Sequence, residues 1–153
     1  MKHYHLKIEH YTDILQKVTG RVFHATSTEN MFLIMKSGAL LPNSKQQFLS
    51  SFGSFDNGYF RKRSCVSFFD YRSYGTPHWE EHAYKCFPTQ NLRKGEKVCL
   101  LFLDEKIYED LIPWTAWKDE KAWCDRVVPW VETGYKGKVS LDFISEVLVI
   151  EYV

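Results

Sequence analysis

Residues 97–103 read KVCLLFL. Six apolar residues follow Lys97 without a polar interruption, so neither face of the segment is made for water. By length and apolarity the run is a strand buried on both faces, central in its sheet. Such a strand needs a partner on each edge and cover above and below. Two further runs, SCVSFFD (64–70) and EVLVIEY (146–152), and the shorter RVFHA (21–25), supply candidate partners. No run approaches the ~20 apolar residues that cross a bilayer as a helix.

The segments between these strands carry the helices. Ile8, Tyr11, Ile14, Leu15 and Val18 recur at helical spacing over 8–19, and Gly20 ends the pattern. Thr26 opens a T-x-x-E sequence with Glu29, a capping box in which each side chain bonds the other residue's backbone N–H. The helix it starts covers 27–37, with Gly38 just past its end. Thr76 and Pro77 begin a second helix, which runs to about Cys86. Residues 105–126 look mostly helical, with an interruption at Pro113. Residues 127–132 look like a short strand that Pro129 confines to an edge or a bulge. Residues 141–145 make a helical turn. The stretch 43–63, rich in Ser, Phe, Gly and Asn, shows no period and reads as a long loop, a kind of segment that often carries function. No repeat and no linker breaks the chain, so residues 1–153 form one α+β domain.

Composition narrows the function classes. The 153 residues are 44% hydrophobic and 25% charged, a globular balance, and the net charge of +1 offers no global field for a polyanion. Locally, Arg61, Lys62 and Arg63 form a basic cluster, ordinarily a solvated loop and alternatively a contact for nucleic acid. Cys65, Cys86, Cys99 and Cys124 include no C-x-x-C pair and match no zinc spacing. With no signal peptide in view, free thiols of this kind fit a cytoplasmic location. Aromatic content is high at 16%; some of it must be core, and aromatics outside regular strands are also what a flat-ring ligand site needs.

Candidate chemistry is sparse. HWEEH (78–82) spells H-x-x-E-H, which on a helix puts His78 and His82 on one face with Glu81 as a base. His78 falls in the first turn beside Pro77, and no further ligand motif follows, so a mixed-charge surface helix is the better reading. Trp114, Trp117, Trp123 and Trp130 suit packing better than base stacking. There is no G-x-G-x-x-G, P-loop or G-x-S-x-G. What remains is His24 ending the first strand, Arg72 just after the second, and Glu132 at the third. Each is ordinary alone; together, at strand ends with aromatics between, they point to one cleft.

These three stretches resemble the ADP-ribosyltransferase fold, and within it the small bacterial toxins that modify nucleic acid. VFHAT followed by a helix and glycine looks like the opening motif. VSFFDYRSYG is similar to the second motif of the DNA-modifying toxins, and VETGYKGKVSLDFISEVLVI looks like the closing one. The resemblance covers residues 21–150. It implies a split, mainly antiparallel sheet with flanking helices and NAD⁺ across the split. Glu132 and Arg72 are then the catalytic pair, with Glu146 as the weaker candidate carboxylate. His24 holds a ribose or the adenosine side, Thr26 and Ser67 make minor contacts, and Tyr71 or Tyr74 stacks on nicotinamide, with Tyr59 a third option. His24, Arg72 and Glu132 are expected to open into one pocket. Arg61, Lys62 and Arg63 would meet a nucleic-acid acceptor. The activity implied is mono-ADP-ribosyl transfer with NAD as substrate and no metal, possible partners being a nucleic-acid acceptor and an antitoxin or inhibitor protein. The alternatives are a binding module of the same fold that has lost turnover, and an H-x-x-E-H metallohydrolase.

Overall fold

The computed structural model describes residues 1–43, 57–83 and 86–153. Within them the chain is a mixed α+β domain built on a mostly antiparallel sheet. The strands are β1 (Lys2–Ile8), β2 (Val22–Thr26), β3 (Ala39–Leu40), β4 (Cys65–Asp70), β5 (Lys97–Leu103), β6 (Ile112–Pro113), β7 (Glu132–Lys136), β8 (Val139–Ser140) and β9 (Ile144–Tyr152). The helices are α1 (Leu15–Val18), α2 (Thr28–Ser37), α3 (Tyr59–Lys62), α4 (Pro77–Ala83) and α5 (Thr115–Asp119), with 3-10 turns at Tyr11–Ile14, Glu105–Asp110 and Leu141–Phe143.

Seven strands form one sheet in the order β1-β9-β5-β2-β4-β7-β6, and β3 pairs with β8 in a small second one. Every neighbouring pair in the large sheet is antiparallel except β1–β9. KVCLLFL is β5, third from one edge, with β9 and β2 beside it. Its side chains alternate into two cores, as a strand covered on both faces requires. Val98, Leu100 and Phe102 pack with Ile14, Val18, Trp79 and Ala83 on one face. Cys99, Leu101 and Leu103 pack with Met31, Leu40, Ile107 and Val139 on the other.

Several sequence expectations change in detail. The two half-sheets expected from the resemblance are a single sheet, parted only between β2 and β4. The helix over 8–19 shrinks to a 3-10 turn and one turn of α1, because Ile8 completes β1 and Gly20 (φ 78°) ends the segment. The cap of α2 is Ser27, whose Oγ accepts the Asn30 N–H at 3.1 Å, while Thr26 stays in β2 opposite Cys99. Residues 105–126 hold no long helix: a 3-10 turn, β6 and α5 divide them, with Pro113 lying in edge strand β6, which sits beside β7 alone. The strand expected at 127–132 begins only at Glu132, since Trp130 takes a left-handed φ of 68° that turns the chain. The expected loop 43–63 falls largely outside the described residues, though its end, 59–62, is α3.

Candidate functional site

The parting of the sheet is local. β2 pairs with β5 over four residues, Phe23 to Thr26, but with β4 only through Val22↔Asp70 and Phe23↔Phe69. Past Phe23 the strands separate and the Ser67 carbonyl has no ladder partner on β2. His24 takes that place: its Nδ1 lies 2.8 Å from Ser67 O. A carbonyl oxygen only accepts, so Nδ1 carries the proton and donates it. Burial holds the His24 pKa below its ordinary value, the bond to Ser67 opposing in part. The neutral ring therefore keeps a lone pair on Nε2, an acceptor.

Ser67 also works from its side chain. Its Oγ donates to Glu132 Oε2 at 2.8 Å, and the Val128 N–H donates to Glu132 Oε1 at 3.0 Å. Both oxygens of one carboxyl are thus fixed, one by β4 and one by the turn before β7. Burial raises the Glu132 pKa, and the bonds from Ser67 and Val128 work against it. Directly across from Ser67 stands Gly134. A Cβ there would run into the Phe60 ring, so glycine is what lets α3 close over this stretch of β4 and β7.

Pairing fixes the faces. Phe23, Phe69 and Glu132 stand in one cross-strand row, so their side chains leave the same face of the sheet. Ser67, two residues from Phe69, shares it. His24, next to Phe23, leaves the opposite face, where its ring meets Phe68 edge-on at 5.9 Å. The structure therefore joins His24, Ser67 and Glu132 through one residue across the sheet's thickness, and the single pocket expected for His24, Arg72 and Glu132 is not formed.

The other expected site residues separate from this group. Arg72 is held by Asp70 through Nε–Oδ1 at 2.9 Å and Nη2–Oδ2 at 2.8 Å, with its guanidinium 5.1 Å from the Tyr108 ring. Tyr71 is fully buried, edge-on to Phe23 and Trp79, and its hydroxyl donates to the Cys86 carbonyl, so it has no ring face to offer a ligand. Tyr74 lies against Trp79 beside a separate recess. Thr26 is buried in the core. Tyr59 is buried too; its hydroxyl donates to Glu120 at 2.7 Å, and burial first and Glu120 second push its pKa up to about 12. Two of the three basic-cluster residues are engaged internally: Lys62 pairs with Asp125 at 2.8 Å, and Arg63 pairs with Glu120 and Asp125 while covering the Tyr59 ring. Glu146 pairs with Arg21 at 3.1 Å. In HWEEH, His78 stacks on Trp130 at 5.0 Å and 10°. Among the described residues no group of three His, Cys, Asp or Glu side chains is arranged to hold a metal ion. No helix among them is long and apolar enough to cross a membrane.

Sequence reading missed the Val128 N–H, the Asp70 that claims Arg72, and Gly134. Only Gly134 left a signal, as a glycine inside what proves to be a strand. No protein-family model, curated protein or solved structure matches the chain.

Proposed function

We propose that the chain is a mono-ADP-ribosyltransferase that uses NAD⁺ to modify a macromolecule, nucleic acid before protein. The observation that supports this best is the Glu132 carboxyl, fixed on one oxygen by Ser67 and on the other by Val128, at the first residue of a strand close to an opening in the sheet. NAD⁺ brings a glycosidic bond whose cleavage develops positive charge on the ribose. A carboxylate already oriented stabilises that charge without reorganising as it forms. Poor solvation strengthens the effect, because water competes less for the same oxygens. In this reading Glu132 is the catalytic residue. Ser67 and His24 are positioning residues: one aims the carboxyl, the other keeps β2 and β4 apart.

The preference for nucleic acid rests on the resemblance of VSFFDYRSYG alone, since Lys62 and Arg63 are engaged in ion pairs. A role as a toxin or phage-conflict effector, acting in the cytoplasm and restrained by an inhibitor protein, goes with the same resemblance. The test is nicotinamide release by wild type and Glu132→Gln. Turnover should fall on the order of 10²–10³ while NAD⁺ affinity by calorimetry stays nearly constant. Equal turnover in the two proteins removes the catalytic assignment.

A second reading has its own support. His24 and Glu132 leave opposite faces, and Asp70 occupies Arg72, which suits a binding module of the same fold without turnover. NAD⁺ binding to wild type with no nicotinamide released would decide for it.

A further inference from the structure

We propose that the recess between the Tyr11–Ile14 turn, α4 and residues 86–90 binds a small organic cation whose charge sits on an alkylated nitrogen. The recess has a volume of about 240 Å³, and none of its lining residues belongs to the Ser67–Glu132 group. The inference is therefore independent of the function proposed above. Three aromatic rings that reach the surface form its walls, Tyr11, Tyr74 and Phe87, and the buried Trp79 backs them from the core. They meet in pairs near right angles, Tyr11 with Phe87 at 5.3 Å and 88°, and Tyr74 with Trp79 at 5.0 Å and 66°. Both pairs are anchored. The Trp79 indole N–H donates to the Asp70 carbonyl at 2.8 Å, and the Thr89 hydroxyl donates to the Tyr11 carbonyl at 2.6 Å. Walls tied in this way are ordered before a ligand arrives, which lowers the cost of binding.

Charge selects the occupant. Glu80 lines the same recess, and no hydrogen bond or ion pair among the described residues engages its carboxylate. Aromatic faces are themselves negative, so the walls and the carboxylate favour the same sign of ligand. An anion meets like charge, and a neutral apolar guest gains nothing from the exposed Glu80 carboxylate. A primary ammonium is strongly hydrated and would give up water for rings that bond it weakly. An alkylated nitrogen spreads its charge and sheds water readily, which fits a quaternary ammonium or an N-alkylpyridinium.

Calorimetry on the full chain tests this with three probes: choline, its uncharged isostere 3,3-dimethyl-1-butanol, and the pyridinium cation 1-methylnicotinamide. At least one cation should bind, with the isostere about tenfold weaker or more. Glu80→Gln and Phe87→Leu should each weaken cation binding about five- to tenfold, with the circular dichroism spectrum unchanged. Tighter binding of 1-methylnicotinamide than of choline assigns the site to pyridinium rings, and the reverse to alkylammonium groups. The inference is overturned if the isostere binds as well as the cations, if both variants bind like wild type, or if neither cation binds.

Discussion

The two edges of β4 are built differently. Toward β7 the strand pairs without a break from Cys65↔Lys136 to Phe69↔Glu132, and α3 closes over the seam through Gly134. Toward β2 it pairs at two positions and then opens, with a histidine ring in place of the missing ladder. On the closed edge, register does the positioning: Glu132 can reach Ser67 because it stands opposite Phe69, two residues along β4 from Ser67 and on the same face. On the open edge a single side chain satisfies the carbonyl that the ladder abandoned. A sheet can thus open beside a fixed carboxyl without leaving a buried polar group unpaired, and no buried side-chain polar atom among the described residues lacks a partner.

Breaking the closed edge should have the largest effect. Gly134→Ala puts a methyl group into the Phe60 ring, and overpacking of this kind should cost about 3 kcal/mol in urea denaturation. A loss below about 1 kcal/mol would mean that Phe60 swings aside and that the seam is not rigid. Breaking the open edge comes next. His24→Ala leaves the Ser67 carbonyl unsatisfied and should cost about 2 kcal/mol, and hydrogen exchange should rise in β2 more than in β7. Equal loss of protection in both strands would show that the edges are one unit.

Acid should distinguish the edges further. The His24 pKa lies lower in the folded chain than in the unfolded one, so the unfolded chain takes up the proton first. Its contribution to stability is complete above about pH 6.5 and is lost as pH falls through the folded value. Glu132 has the opposite sign: its raised pKa favours folding below its ordinary value of 4.5, and that gain is lost as pH rises through the folded value. Stability curves of wild type and His24→Gln from pH 8 to 5 should therefore converge toward acid. Parallel curves would show that His24 does not titrate with folding. The smallest effect belongs to the turn into β4. Ser64 holds a φ of 55°, and Ser64→Gly should stabilise the fold by about 0.5–1 kcal/mol, read as a rise in melting temperature.

The strands that carry both cores were legible because their side chains have only one place to go. KVCLLFL coincides with β5 and SCVSFFD with β4 to within a residue, and the parts of EVLVIEY and RVFHA that are apolar lie in β9 and β2. β1 was not, because an edge strand with one wet side reads KHYHLKI, and only Ile8 is fully buried. β7 was misplaced for a different reason. Its sequence ETGYK follows packing demands, a glycine beneath Phe60 and a carboxylate opposite Phe69, and no apolar alternation marks it. Of the candidate site, His24 and Glu132 stood out by their positions at strand ends. That they leave opposite faces depends on register, which two residues of β2–β4 pairing decide and no local pattern encodes. Arg72 looked available because its partner Asp70 lies two residues away, where only the turn geometry after β4 brings them together.

The place of β9 in the sheet has a consequence for synthesis. It lies between β1 and β5, and the Val153 N–H closes onto the Ile8 carbonyl. A ribosome adding 5–20 residues per second makes β1 first and β9 last, on the order of ten seconds apart. Through that interval the first strand lacks its neighbour β9, and once β5 is made its edge toward β9 stands bare. The nascent chain cannot assemble this sheet in the order it emerges; β9 must slide in as the keystone between β1 and β5, both made before it.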